Sequence, residues 1–188
     1  MRHRLALELI AALSLLFAAC AASTADAPAP ALAARSVAIQ PSAAPASCPT
    51  TRPPDPSFVP PAPYPATPPS VERGKVWYGS NELWTWLHVD GTWEMVRDEH
   101  GLFDKSFWWR QGYDWRTETT PGLQVTGRRL DALAPAVTIS NATNGFEESM
   151  GAFMLVGLEL PAGGCWELTG TYHGRSLRLV VWVRGEQP

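Results

Sequence analysis

The sequence predicts an all-β fold, a two-layer antiparallel β-sandwich, over residues 71–188. Short segments in this region repeatedly alternate apolar and polar residues, which is the period of a half-buried strand. No window of about a dozen residues carries an apolar stripe with helical spacing. Gly, Pro and Asp stand between the segments, where turns between short strands need them. These three observations indicate one β domain of ordinary size.

The clearest predicted hairpin lies near the start of this domain. Residues 82–89 alternate between two faces, Asp90-Gly91 supplies a two-residue turn that tolerates positive φ, and residues 92–97 return. Residues 140–151, rich in Asn, Ser, Thr and Gly, are expected to form a loop. Seven further strands are predicted, for a total of nine: Lys75–Tyr78, Lys105–Arg110, Leu123–Arg128, Ala136–Ser140, Phe153–Leu160, Cys165–Tyr172 and Ser176–Val183.

The last 25 residues show the most regular pattern. Alternate residues from Trp166 to Tyr172 share one face, residues 173–175 form a turn, and alternate residues from Leu177 to Val183 line the return strand. This hairpin resembles the closing strands of immunoglobulin-like modules in bacterial envelope proteins. Residues 161–167, which end in Gly-Cys-Trp-Glu, and the Cys48-Pro49 start resemble a small family of uncharacterised exported or lipid-anchored bacterial proteins. The resemblance implies an immunoglobulin-like β-sandwich and assigns no catalytic residues.

The N-terminus has the pattern of a bacterial lipoprotein export signal. Residues 2–4 are basic, residues 5–19 are mostly apolar, and small residues lead into Cys20. The apolar stretch is shorter than the roughly 20 residues that span a bilayer. We therefore expect residues 1–19 to be a signal peptide and Cys20 to carry lipid on the non-cytoplasmic side of a membrane. Ordinary cleavage near Ala19 or Ala21 is the alternative, and it also exports the chain.

Residues 20–70 are expected to be a disordered Ala/Pro-rich tether. Fourteen of the 18 prolines lie between Asp26 and Ser70. Proline removes backbone donors and favours the extended polyproline II conformation, so this segment is a poor helix or central strand. The part after Cys48 contains Phe58, Val59 and Tyr64 and is a candidate to lie against the domain instead.

Three cysteines occur in the chain. If Cys20 carries lipid, Cys48 and Cys165 remain as one candidate disulfide pair, which an oxidising compartment would favour. Such a bond would connect the start of the ordered region to the sheet. Two unpaired thiols, with Cys165 in the core, are the alternative.

The charge balance argues against nucleic acid as a partner. The formal net charge is −3, and removal of residues 1–19 leaves 13 basic and 17 acidic residues. Phosphate recognition needs clustered Lys and Arg, and no basic stripe is present.

Seven of the nine tryptophans fall between Trp77 and Trp115. Trp84 and Trp86 share a strand face opposite Leu83 and Leu87, so an inward leucine face would place the tryptophans outside. Trp84, Trp86 and Trp109 are therefore the candidate binding surface, which could stack on sugar rings or pack against a protein. The alternative is that these tryptophans belong to the core.

No motif indicates catalysis, a metal or a cofactor. The chain has no Gly-x-Ser-x-Gly elbow, no Ser-x-x-Lys and no closely spaced histidine pair on one element. His88, His100 and His173 have carboxylates nearby in the sequence but not the spacing of a zinc site, and residues 98–101 are interpreted as a solvated turn. We expect a non-enzymatic, lipid-anchored accessory or binding domain at the cell envelope, with an envelope protein or polysaccharide as partner. A small secreted hydrolase whose site forms only in the fold, or a structural spacer, are the alternatives.

Overall fold

The described part of the chain consists of ten β-strands and connecting segments. The computed structural model describes residues 43–69 and 74–186, and within them it contains no helix that is long and apolar enough to cross a membrane. The all-β prediction is confirmed. The predicted signal peptide, Cys20 and residues 20–42 of the tether lie outside the described residues. The strands are β1 (Lys75–Ser80), β2 (Leu83–His88), β3 (Thr92–Arg97), β4 (Leu102–Trp109), β5 (Gln124–Arg129), β6 (Val137–Ile139), β7 (Thr143–Glu147), β8 (Gly151–Leu160), β9 (Gly164–Tyr172) and β10 (Arg175–Glu186).

The strands form one mixed sheet with two arms. The first arm has the order β1-β2-β4-β8-β7, and the second has the order β3-β10-β9-β5-β6. The arms are joined where β3 and β4 pair over two residues each, Val96 with Phe103 and Arg97 with Leu102. All neighbours are antiparallel except β3 and β10, which run parallel. The expectation of a wholly antiparallel arrangement is wrong at that pair.

The predicted hairpin between β2 and β3 is not formed. The Asp90-Gly91 turn exists, with Gly91 at φ 73°, but β2 pairs with β1 and β4 while β3 pairs with β4 and β10. Asp90 accepts hydrogen bonds from the Thr92 backbone N–H and hydroxyl, and Trp182 N–H donates to the Gly91 carbonyl. The turn therefore connects the two arms. The backbone N–H and C=O groups of β3 find their partners on β10 instead of on β2.

The C-terminal hairpin is confirmed. β9 and β10 pair in register from Tyr172 with Arg175 to Gly164 with Val183. His173 and Gly174 form the two-residue turn with φ of 46° and 75°, the positive values that a tight hairpin turn requires. The predicted faces are also found, because Trp166, Leu168 and Tyr172 are buried.

One strand, β7, lies in the segment that was expected to be a loop. It pairs with β8 from Thr143 with Leu155 to Glu147 with Gly151. Among the ten described strands, β7 pairs with β8 alone, and it buries none of its side chains fully. An edge strand of this kind lacks the alternating pattern from which strands are predicted.

Two groups of buried side chains hold the fold together. The main core takes residues from both arms, including Trp108 and Val156 from the first and Trp166 and Val181 from the second. The second group is an aromatic cluster on the other face of the first arm: Trp77, Trp84, Trp86, Trp109 and Phe153. β8 contributes to both groups, because its successive side chains point to opposite faces.

Candidate binding groove

The expected aromatic ridge is not exposed. Trp84 and Trp109 are 0 % exposed and Trp86 is 5 % exposed. The two faces of β2 were assigned correctly, since Leu83 belongs to the main core and Trp84 to the aromatic cluster. The error lies in what covers the tryptophan face, and these three residues therefore do not form a binding surface.

The cover is the proline-rich segment 49–69, here called the strap. Its Phe58 and Tyr64 rings lie 5.8 and 5.0 Å from the Trp84 ring, and Trp77 Nε1 donates to the Pro65 carbonyl at 3.0 Å. The strap belongs to the same compact unit as the sheet. The predicted tether over 20–70 therefore extends too far, because its last part packs against the domain. The aromatic residues among the prolines were the signal for this packing.

The strap begins at the predicted disulfide. Cys48 and Cys165 are bonded, with their Cα atoms 5.5 Å apart, and both are buried. Thr51 continues from there alongside β10, since Thr51 N–H donates to the Val180 carbonyl and Val180 N–H donates to the Thr51 hydroxyl oxygen. The prediction of this pair is confirmed, and its two-thiol alternative is wrong.

A different pair of aromatic residues lies at the surface. Trp115, in the loop between β4 and β5, stacks on Phe146 of β7, with ring centroids 5.8 Å apart and planes 20° apart. Phe146 is 53 % exposed, and the Arg116 guanidinium lies 4.9 Å from the Trp115 ring. These residues line an open groove of about 260 Å³ with Tyr64, Tyr113, Pro63, Asp114 and Gln111. Trp115 was not singled out because it lies in none of the predicted strands.

Hydrogen bonds hold the β4–β5 loop in one conformation. The Asp114 carboxylate accepts from Arg116 N–H, and its carbonyl accepts from Thr117 and Glu118 N–H. Asn144 of β7 donates to the carbonyls of Trp115 and Glu118, at 2.6 and 3.0 Å. The loop that presents Trp115 is therefore fixed to the neighbouring strand, which lowers the entropy lost on binding a ligand.

Glu118 is the centre of a polar network behind the groove. Its carboxylate accepts hydrogen bonds from the Tyr172 hydroxyl and from Gly122 N–H, and His173 Nε2 lies 3.6 Å from it. Burial, together with the nearby charge of Glu118, raises the pKa of Tyr113 to about 12. Burial and the hydrogen bond to Glu118 also raise the pKa of Tyr172. These phenols stay neutral and act as structural donors.

His173 and His100 lie in different polar surroundings. His173 contacts Glu118 and Arg110, while the Tyr172 hydroxyl donates to Glu118 instead of to the histidine ring. His100 lies in the exposed turn at residues 98–101, where the Asp98 carboxylate accepts from His100 and Gly101 N–H. Within residues 43–69 and 74–186, no three His, Cys, Asp or Glu side chains are arranged to hold a metal ion.

The chain matches no protein-family model, no curated protein and no solved structure. The groove and its surroundings are therefore interpreted from their own chemistry.

Proposed function

We propose that this protein is an exported, lipid-anchored, non-enzymatic module that binds polysaccharide at the bacterial cell envelope through the Trp115–Phe146 groove. The observation that carries this proposal is the stacked aromatic pair at the surface, held by a loop with a hydrogen-bonded backbone. Loops fixed on a β scaffold are a common place for binding residues.

The chemistry of the groove favours sugar. A pyranose ring has an apolar C–H face and polar hydroxyl edges, so it packs on an aromatic ring that has hydrogen-bonding groups beside it. Phe146 and Trp115 supply the aromatic surface, and Asp114, Arg116 and Gln111 supply polar groups around it. The groove is open and shallow, which suits a chain-like ligand better than an enclosed small molecule.

The location outside the cytoplasm has two supports. The N-terminal pattern of residues 1–20 is that of a lipoprotein signal. The bond between Cys48 and Cys165 is consistent with an oxidising compartment, where disulfides form and persist. The lipid on Cys20 and the tether formed by the residues before Cys48 remain parts of this proposal.

The immunoglobulin-like sandwich also belongs to this proposal. Its support is that the two arms share one core and face each other closely. The Trp108 indole of β4 occupies the space beside Gly170 of β9. A Cβ at Gly170 would lie 2.4 Å from the indole ring, so a larger residue does not fit there. These two strands are not hydrogen-bonded neighbours, which supports the packing of one arm against the other.

Binding of neutral oligosaccharides from envelope polymers, followed by intrinsic fluorescence and calorimetry, tests the function. We expect Trp115→Ala to weaken binding by about tenfold or more, because truncation of a tryptophan that anchors a binding surface costs about 2 kcal/mol or more. Leu133→Ala is the matched control, since Leu133 is fully exposed elsewhere and its truncation should have no effect. Equal binding by the wild type and Trp115→Ala, or no saccharide bound by the wild type, contradicts the proposed function.

Detergent partitioning of cell extracts tests the anchor. We expect the wild-type protein in the detergent phase and Cys20→Ser in the aqueous phase, because acyl chains hold a protein at a membrane by burying their methylenes. Cys20→Ser in the detergent phase would show that lipid at this residue is not the anchor.

A further inference from the structure

A second cleft lies on the β5-β9-β10 part of the sheet, and its chemistry differs from that of the aromatic groove. It has a volume of about 400 Å³ and is lined by Arg128, Glu167, Arg178, Thr51 and Tyr78, among other residues. Arg128 and Arg178 are 66 % and 71 % exposed at their side chains, and Glu167 is 18 % exposed.

The one carboxylate in the cleft is already paired twice. Glu167 Oε1 lies 3.1 Å from Arg128 Nη2, and Glu167 Oε2 lies 3.4 Å from Arg178 Nη1. Two guanidinium groups therefore share one carboxylate, and this group of three side chains carries a net charge of +1. Each guanidinium has five N–H donors, so most of their donors remain available for another acceptor.

Thr51 adds a further donor at the same place. Its hydroxyl oxygen accepts from Val180 N–H at 2.7 Å, which leaves the hydroxyl hydrogen to donate into its surroundings. Glu167 lies on β9, the strand between those that carry Arg128 and Arg178. The cleft is thus rich in donors and positively charged, within a chain whose net charge is negative.

We infer that this cleft binds the oxyanion group of an acidic saccharide, such as a uronic acid carboxylate. Guanidinium groups suit this ligand because their planar forks match the geometry of a carboxylate or phosphate. The inference rests on the proposed function for the saccharide nature of the ligand. It adds that the preferred polymer is anionic and is contacted at Arg128 and Arg178.

The test compares an oligogalacturonate with a neutral oligosaccharide of the same length, by calorimetry at low salt. We expect Arg128→Gln/Arg178→Gln to weaken oligogalacturonate binding about tenfold or more and to leave the neutral ligand unaffected. Arg97→Gln/Arg175→Gln removes the same two charges elsewhere and should leave both ligands unaffected. Equal oligogalacturonate binding by the wild type and Arg128→Gln/Arg178→Gln would overturn the inference.

The affinity of Glu167→Gln for oligogalacturonate distinguishes a binding cleft from an ion-pair group with a purely structural role. Removing the carboxylate raises the net charge of the cleft to +2, so oligogalacturonate should bind several-fold more tightly. A purely structural role for Glu167 predicts no gain in affinity, and that result would contradict the inference. Binding of the wild type should also weaken at about 0.5 M NaCl, because exposed charges are screened at that ionic strength.

Two further results distinguish this inference from the proposed function. If Trp115→Ala abolishes neutral-saccharide binding while oligogalacturonate shows no dependence on the arginines, the proposed function stands and the inference fails. If the arginines instead control binding to vesicles of anionic lipid and no saccharide binds, both fail, because the oxyanion is then a lipid headgroup.

Discussion

At the scale of single residues, the absence of a side chain at Gly170 is as important as the large side chains around it. Gly170 lies on β9 and faces Trp108, which is 1 % exposed and donates its Nε1 hydrogen to Ser106 at 2.7 Å. A fully buried indole with a satisfied N–H has little freedom to shift. The approach of β9 to Trp108 of β4 at this point therefore depends on one glycine and one tryptophan.

Gly170→Ala should destabilise the domain by about 1 to 3 kcal/mol or more, because its Cβ would overlap the Trp108 ring. Urea unfolding followed by fluorescence measures the change. Gly122→Ala is the control: a Cβ there meets no atom within 4 Å, and the free energy of unfolding should change by less than about 0.5 kcal/mol. Equal stabilities of the two variants would show that the arms do not meet at Gly170.

The network around Glu118 predicts a change of stability with pH. The pKa of Tyr113 is raised from 10.0 to about 12, so the unfolded chain loses this proton at lower pH than the folded chain does. The stabilising contribution is therefore complete below pH 10 and is lost as pH rises toward 12. Absorbance titration of the phenols should show a step near 12 that is missing in Tyr113→Phe. A complete titration near 10 would contradict this environment.

At the scale of elements, the strap decides whether the tryptophan face of the first arm is buried or exposed to solvent. It contacts Trp84 and Trp77, two of the five buried aromatic side chains of the aromatic cluster on the first arm. Much of this coverage comes from Phe58 and Tyr64, and the Trp77–Pro65 hydrogen bond satisfies an indole N–H that would otherwise be buried without a partner.

A chain that begins at residue 74 should therefore associate and bind a hydrophobic dye, whereas a chain that begins at residue 43 should be monomeric. Exposed apolar patches of this kind promote aggregation. Light scattering and dye fluorescence measure the two properties. A stable, monomeric protein without residues 43–73 would show that the strap is not needed to cover the tryptophans.

The sequence predicted those strands in which buried and exposed side chains alternate along the chain. The alternation from Gly164 to Val183 and the His173-Gly174 turn fix one hairpin through local interactions, and that hairpin is found. The Asp90-Gly91 turn is equally clear locally, yet the partner of β3 is β10, which is far away in sequence. Pairing between strands so distant in sequence depends on which strand edges are available in the folded chain. The local sequence of β3 does not contain that information.

The candidate site was predicted less well, for the same reason. Trp84 and Trp86 were assigned to the correct face of β2, but their exposure depends on a distant segment rich in proline. Trp115 and Phe146 come from a loop and an edge strand, and only their contact in three dimensions makes them a surface. Cys48 and Cys165 were predictable because cysteine pairing leaves few choices in a chain with three.

At the scale of the whole molecule, the disulfide joins residues 117 positions apart and closes a loop that contains β1 to β8. A cross-link over such a distance removes many conformations from the unfolded chain, which by the loop-entropy account stabilises the folded state by about 2 to 5 kcal/mol. The same bond fixes the first end of the strap to β9, and the last end leads toward β1.

Cys48→Ala/Cys165→Ala should lower the free energy of unfolding by about 2 to 5 kcal/mol. Because the strap loses its fixed start, acrylamide should also quench the tryptophans of the aromatic cluster more strongly. Wild-type protein treated with a reductant and an alkylating agent should behave like the double variant. A wild-type unfolding midpoint in the double variant would show that strap packing alone supplies the stability.

The position of the disulfide also determines where mechanical load enters the domain. A pull on the residues before Cys48 passes through the sulfur–sulfur bond to Cys165, which lies in β9 between β10 and β5. The strap begins one residue later, outside this path. A force applied to the residues before Cys48 should therefore reach β9 without separating the prolines of the strap from Trp77 and Trp84.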